Sequence, residues 1–388
     1  MRLRFTTAGE SHGKALVAIV EGLPAGLPVS ADWVDRDLAR RMQGYGRGAR
    51  MKIERDRVEW LAGIRAGETL GSPVAMLIPN RDWSNWEDVM SPGGEGELRR
   101  RRVTRPRPGH ADLVGVLKYD RLDARDILER ASARETTARV AAGALARRLL
   151  DEFGVEIGSH VVSLGGIRAT PPDPLPVPLN EAADRSEVRV LDPRVEREII
   201  SHIDQAKRAG DTLGGEIEVV ARGLVLGLGS HVSWDRKLDG RLAQALMSIP
   251  AVKAVEIGDG VAVAQRSGSH AHDEIFYDET ARRFFRRTNN AGGLEAGITN
   301  GADLRARIFI KPIPTLRKSL MSIDLVSKKE AAAAFERSDT CVVPAAGVVA
   351  EAMLSMVLAQ AFLEKFGADS ITELEANYEN YKRLLNEF

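Results

Sequence analysis

The sequence predicts an α+β protein, a β-α-β sandwich with helices packed between antiparallel sheets. Two observations carry that expectation: an internal repeat, and a long alanine-rich helix placed alike in each half. Gly9–Leu23 aligns without a gap on Gly210–Leu224, and each stretch continues to a Gly-Leu pair, Gly26-Leu27 and Gly227-Leu228. Ser30 to Met42 and Ser233 to Met247 each hold a tryptophan (Trp33, Trp234), an Asp-Arg pair and a Leu-Ala pair. Gly67–Gly71 precedes the alternation Val74, Met76, Ile78, as Gly297–Gly301 precedes Leu304, Ala306, Ile308. Glu129-Arg130 and Glu336-Arg337 each lead into a small-residue helix ending near Phe153-Gly154 or Phe366-Gly367. Chance likeness in Gly/Leu-rich sequence is the competing account; recurrence of the segments in one order argues against it, although their spacing drifts.

In chain order, each half begins with apolar alternation bounded by glycine, which reads as hairpin-like strands because side chains alternate faces. Residues 134–153 and 344–366 then read as the clearest helices. Pro344 suits a first helical turn, where no N–H is needed, and Gly154 and Gly367 suit C-terminal caps. Residues 168–195, with Pro171, Pro172, Pro174, Pro176 and Pro178, read as the irregular connection. The whole chain, 1–388, is expected to form one domain of two pseudo-repeated halves, about 1–190 and 195–388, related by a pseudo-two-fold. Where His12 stands in the first half, Leu213 stands in the second. A duplicated scaffold that loses symmetry at polar positions points to one composite site between the halves.

The balance of 55 Lys+Arg with 55 Asp+Glu leaves no basic excess for a general polyanion binder, so no nucleic-acid partner is expected. One cysteine, Cys341, excludes an intrachain disulfide and a cysteine-cluster metal site. Met1 to Ser11 has basic residues but no apolar run, so no secretory leader is expected. No stretch approaches the roughly 18 apolar residues of a membrane span. A soluble cytoplasmic protein without a membrane partner is the expectation.

Familiar cofactor loops do not fit. Gly9–Ala15 resembles a phosphate loop but is one residue short and has Ala15 where Ser or Thr would hold Mg²⁺. Gly44–Gly48 is not the dinucleotide fingerprint. No metal-ligand spacing stands out, and no metal is expected. Ser11-His12 lies in a glycine-flanked turn, where an imidazole can approach a ligand or hydrogen-bond its own loop. Histidine titrates near neutral pH and suits protonation of a departing phosphate. Arg105 to Asp112 is stiffened by Pro106 and Pro108 and carries a second imidazole, His110; it reads as a site or as a rigid surface loop. The Arg99–Arg102 run reads as a solvated face. Arg40, Arg41 and Arg47 flank the Gly44–Gly48 turn, Arg134 opens one helix and Arg337 precedes the other. Guanidinium groups beside helix N-termini make a strong anion site, and ordinary ion pairing is the bland alternative. Ser338-Asp339 precedes a helix, where Asp is a common N-cap. These residues reach as far as a polyanionic small molecule and acid–base groups.

Along nearly its whole length the chain resembles the chorismate synthase family. Ala8–Gly13, Arg130–Thr136 and Arg337–Gly347 carry the match, with Arg107–Asp112, Gly44–Gly48, Val255–Gly260 and Lys311–Thr315 in agreement. The resemblance implies a homotetramer that eliminates phosphate from 5-enolpyruvylshikimate-3-phosphate to give chorismate, the last step of the shikimate pathway. It implies reduced FMN (FMNH2) as cofactor, required but not consumed. With no reductase domain visible, it implies an external flavin reductase, and NADPH as indirect reductant. By motif position, His12 protonates the leaving phosphate, His110 serves the flavin near N1, and Asp339 works with flavin N5 to remove the ring proton. Ser11 and Ser132 support these groups; Arg41, Arg47, Arg107, Arg134 and Arg337 hold the substrate. Arg41 and Arg47 are alternatively NADPH ligands. Flavin contacts fall on Arg130, Ala131, Ser132, Pro250, Ala251, Ala296, Lys311, Pro312, Ile313, Pro314, Thr315 and Arg337. Pro250, Ala254 and Ala296 depart from the family's usual Asn or Gln, Gly and Gly, which bears on loop shape at Pro250.

Overall fold

The computed structural model describes residues 3–48, 54–93, 101–336, 338–367 and 369–388. The apolar alternations pair as antiparallel strands in two principal sheets. β1 (Arg4–Ala8), β2 (Ala15–Glu21), β3 (Glu59–Ala62) and β4 (Val74–Pro79) form the first, in the order β1-β2-β4-β3. β5 (Glu156–Leu164), β6 (Ile167–Arg168), β7 (Gly215–Arg222), β8 (Val252–Ile257) and β9 (Leu304–Ile310) form the second, in the order β8-β9-β7-β5-β6. Alternation buries Val74, Met76 and Ile78 in one sheet and Leu304, Ala306 and Ile308 in the other. Mixed helix and antiparallel sheet makes the fold class α+β.

The main helices are α1 (Ala31–Met42), α2 (Asp112–Lys118), α3 (Arg125–Ala131), α4 (Thr136–Asp151), α5 (Pro193–Ala209), α6 (Leu238–Met247), α7 (Val343–Phe366) and α8 (Ile371–Glu387). α4 packs on β1 and β2, α7 packs on β5 and β7, and the two helices lie against each other. Gly143 permits the approach: a Cβ there would stand 2.4 Å from that of Ala352. The helix expected at 134–153 is α4, preceded by a 3₁₀ turn at Ala133–Glu135. Pro344 lies in the first turn of α7 and Gly367 follows its end, as the sequence suggests. Within 168–195 the chain is irregular apart from a short helix at Leu179–Ala183 and the start of α5 at Pro193.

Strand order and local bonding match between the sheets. The order β3-β4-β2-β1 corresponds to β8-β9-β7-β5, and the β3–β4 and β8–β9 pairs both carry a register shift. The Thr69 hydroxyl donates to Pro24 O at 2.6 Å and accepts from Leu27 N at 2.9 Å. The Thr299 hydroxyl donates to Val225 O at 2.7 Å and accepts from Leu228 N at 2.8 Å. β5 precedes residue 190 yet pairs with β7, so the sheets divide ahead of Glu156. Nearly every residue of β5 is buried, which erases the alternation that would mark it in sequence.

The expectation that no stretch could span a membrane is corrected by α7. It has 24 residues and a window of mean hydropathy 1.7, enough by length and composition, with 94% of that window buried inside the protein. Counting uninterrupted apolar residues overlooks it because Glu351 lies near its centre. That carboxylate, fully buried, accepts from Arg40 (2.7 and 3.0 Å), Arg147 (2.5 Å), Arg189 (3.1 Å) and Ser159 (2.6 Å). The network ties α1, α4, β5 and α7 together.

Candidate active site

The turn after β1 presents Ser11 and His12. Gly9 has φ +106°, and a Cβ there would stand 2.4 Å from Ala15 O, so glycine alone allows the turn. The turn docks on α3. Ser11 N donates to Glu129 O at 2.9 Å, and His12 N donates to the Glu129 carboxylate at 2.8 Å. His12 Nδ1 is 2.9 Å from Glu129 Oε1, and its ring stacks on Trp86 with centroids 3.9 Å apart. Arg101 and Arg125 also lie over the Trp86 ring. Arg101 belongs to the run read as a solvated face; here its guanidinium covers an indole. Ser132 Oγ donates to Ser11 Oγ at 3.2 Å and accepts from Arg134 N, also at 3.2 Å.

That serine bridge leads to a buried cationic cluster. Arg134 donates to Asn80 (2.9 Å) and Asp56 (2.7 Å). Arg41 donates to Thr136 Oγ1 (2.9 Å) and Ala133 O (2.7 Å). Burial pushes the Arg41 guanidinium down to about 9; Asp56 opposes that shift, while Arg47 and Arg134 add to it. Arg41 therefore still carries its charge at neutral pH. Arg47 Nε is 3.4 Å from Asp339, whose other oxygen accepts from Gly48 N at 2.5 Å. Asp339 is thus no helix cap; Val342 occupies that position without a side-chain bond. Cys341 beside it is buried, which pushes its thiol up to about 12.

His110 belongs to a third group. Its Nδ1 is 2.5 Å from Asp112 Oδ1, and Asp112 also accepts from Arg107 Nε at 2.8 Å. Burial pushes the Asp112 carboxyl up, and His110 and Arg107 together hold it well below the usual range. Arg107 donates in addition to Thr315 Oγ1 at 2.8 Å. Its guanidinium is buried within this network, whereas the resemblance gives it to substrate. Lys311 Nζ donates to Gly109 O at 2.5 Å.

One strand of chain passes all three groups. Ala334 N donates to Arg105 O at 3.0 Å, Glu336 accepts from Arg125 at 2.8 Å, and Thr340 N donates to Gly46 O at 2.8 Å. These bonds set its described residues against the loop before His110, the Arg125–Glu129 pair and the Gly44–Gly48 turn in succession. Arg337 lies outside the described residues.

The flavin expectations divide. Lys311 N donates to Ala251 O at 3.0 Å, which places Pro250-Ala251 beside Lys311–Thr315. Arg139 donates to Ser248 Oγ (2.8 Å) and pairs with Glu135, 3.7 Å from Arg130, which brings Arg130–Ser132 to the same side. Ala296 lies apart: the adjacent Gly297 O accepts from Leu238 N, at the opposite end of α6 from Pro250. Its φ of +50° is one that favours glycine, in keeping with the family's usual residue there. His270 and His272 fall on and after a single helical turn, and no group of metal-ligating side chains occurs among the described residues.

Trp86, Glu129, Asp112 and Asp56 escape the sequence reading. Asp112 lies inside a quoted motif, and Arg125-to-Glu129 has helical i,i+4 spacing; for Trp86 and Asp56 no sequence signal exists. Fold and site together define an α+β protein whose carboxylate-held imidazoles and buried arginines suit acid–base chemistry on a small polyanion.

A family model described as chorismate synthase matches residues 3–363. Proteins named chorismate synthase from Desulforudis audaxviator and Geobacter sulfurreducens are 58% and 54% identical, over 98% and 100% of this chain and 97% and 100% of theirs. A crystal structure titled as chorismate synthase superposes with a TM-score of 0.81 at 43% identity, covering 100% of this chain and 99% of that one. The chain belongs to the chorismate synthase family.

Proposed function

We propose that the chain removes phosphate from 5-enolpyruvylshikimate-3-phosphate by anti-1,4-elimination, giving chorismate, in a reaction that requires reduced FMN. The observation that carries this reading is a held imidazole and a held carboxylate: His12 on Glu129 and Trp86, and Asp339 on Gly48 and Arg47, with the buried Arg41 and Arg134 linked to the first through Ser11 and Ser132. Phosphate departs with the electron pair of its C–O bond, and His12 supplies a proton to it. Asp339, oriented by Gly48 and Arg47, accepts the ring proton lost on the other side. Arg41, Arg47 and Arg134 balance the substrate's negative charges, with Arg337 added by motif position. Ser11 and Ser132 link the imidazole to this cluster.

The donor set suits a flavin mononucleotide: Arg139 meets Ser248 and Lys311 adjoins Ala251, with Arg130 near Ser132 along the chain, and such cations can meet a phosphate. Reduced FMN, when bound, supplies transient electron donation to the substrate. His110, held by Asp112, is positioned on the Gly109–Lys311 side to serve the flavin. Kinship supports the remaining parts: a homotetramer, NADPH as indirect reductant through an external flavin reductase, and a cytoplasmic setting. We also read the two halves as copies of one unit forming a sandwich; the matched strand orders and threonine bonds support it.

The test is anaerobic incubation of purified protein with substrate, with and without chemically reduced FMN. Chorismate absorbance is expected only with reduced flavin. Equal turnover without it, or phosphate release without chorismate, rejects the reading.

A further inference from the structure

We propose that Glu129 is a positioning residue for His12, fixing its Nδ1–H tautomer and carrying the counter-charge of the imidazolium that protonates the departing phosphate. The inference rests on the role given to His12 above. Two bonds join the same two residues: the carboxylate accepts the His12 backbone N–H at 2.8 Å, and its oxygens lie 2.9 and 3.0 Å from Nδ1, sharing one proton. The Glu129 carbonyl holds Ser11 N as well, so turn and ring are both referred to α3. The carboxylate is 3% exposed, where an unpaired charge is costly and a paired one is directional. Burial pushes the Glu129 carboxyl up, and its bonds to His12 and Arg125 outweigh that, keeping it ionised.

Trp86 fixes the remaining freedom of the ring. The stacked indole, 24° from parallel, stops rotation about the side chain, and its own N–H donates to Asp82 at 3.2 Å. The charged groups around the pair are Arg125 on α3, Glu336 bonded to Arg125, Arg101 over the indole, Asp82 on its N–H, and Glu10 and Lys14 in the turn.

With Nδ1 committed to Glu129, proton delivery falls to Nε2. As the C–O bond breaks, its electron pair goes to phosphate oxygen, which takes the Nε2 proton. The imidazolium becomes a neutral ring still donating Nδ1–H to Glu129. No bond around the ring has to be remade, which is how a preorganised general acid acts.

The experiment uses the full chain with ¹⁵N-labelled histidine, His12 being assigned through His12→Gln. In wild-type protein without flavin or substrate, neutral His12 should show a protonated Nδ1 and a bare Nε2. Glu129→Gln, which keeps shape and an acceptor but loses charge, should move part of the neutral His12 population to the Nε2–H tautomer, because the amide can donate to Nδ1 as well as accept from it. With reduced FMN, that variant should lose about 10-fold to 10²-fold in kcat, up to the whole general-acid contribution. Glu129→Asp, which keeps the charge, should recover part of the loss. An Nε2–H tautomer in wild type, or a Glu129→Gln protein with the wild-type tautomer and kcat, overturns the proposal even if wild type makes chorismate. The tautomer measurement needs no variant, so a misfolded Glu129→Gln does not shelter it. A wild type inert with reduced FMN removes the role by a separate route, visible in the wild-type control.

Discussion

His110 and Asp339 illustrate how a side chain acquires a task from its neighbours. Each is held by a partner from one of the matched segments: Asp112 beside the imidazole, Gly48 N–H and Arg47 around the carboxylate. Such bonds restrict a group to one orientation, which is what proton transfer requires. His110→Ala and Asp339→Ala should therefore each lower turnover by about 10²–10⁴, measured under reduced FMN, with circular dichroism unchanged. Wild-type rates in both variants, with the fold intact, would end the role assignment. Arg107, offered by the sequence as a substrate ligand, is tied to Asp112 and Thr315, which fixes where its guanidinium can face. A guanidinium's assignment depends on which acceptors the fold delivers, and no local pattern states that.

Elements repeat with their hydrogen bonds. Thr69 and Thr299 sit in short hairpins ahead of β4 and β9 and close the same bonds to the loops after β2 and β7. Removing either hydroxyl leaves a buried backbone donor and acceptor unpaired, at about 1–3 kcal/mol. Thr69→Val and Thr299→Val should thus cost similar amounts in urea unfolding. The double variant should lose their sum, because the sites are remote. Strong non-additivity would show that the hairpins are coupled. The helices were legible because alanine and leucine recur with helical period and proline and glycine mark the ends. β5 and α5 were less so: β5 has no alternation to detect, and α5 begins inside a proline-rich stretch that signals irregular chain.

At the scale of the molecule, the Glu351 network reinforces the packed pair α4 and α7, which lies between the two principal sheets. Burial pushes the Glu351 carboxyl up, and Arg40, Arg147 and Arg189 pull it far below its ordinary 4.5. A carboxyl depressed in the folded state contributes stability that is whole above 4.5 and is lost as pH falls from there toward the folded value. Thermal unfolding should therefore move to lower temperature as pH drops below about 4.5, and Glu351→Gln should flatten that dependence. At neutral pH the same variant should lose about 3–5 kcal/mol, since three buried guanidinium groups lose their shared partner. A Glu351→Gln protein as stable as wild type at pH 7 would refute this account of the network.

The sequence by itself determined the α+β class, the two long helices and the family, because these rest on periodicity, turn chemistry and motifs that are local in the chain. It also named His12, His110 and Asp339 as the polar residues of interest. Only the tertiary structure decided which partners they have: Glu129 and Trp86 for His12, Asp112 for His110, Arg47 for Asp339. Those pairings join positions up to hundreds of residues apart, and in a buried setting the partner, more than the residue type, sets charge and orientation.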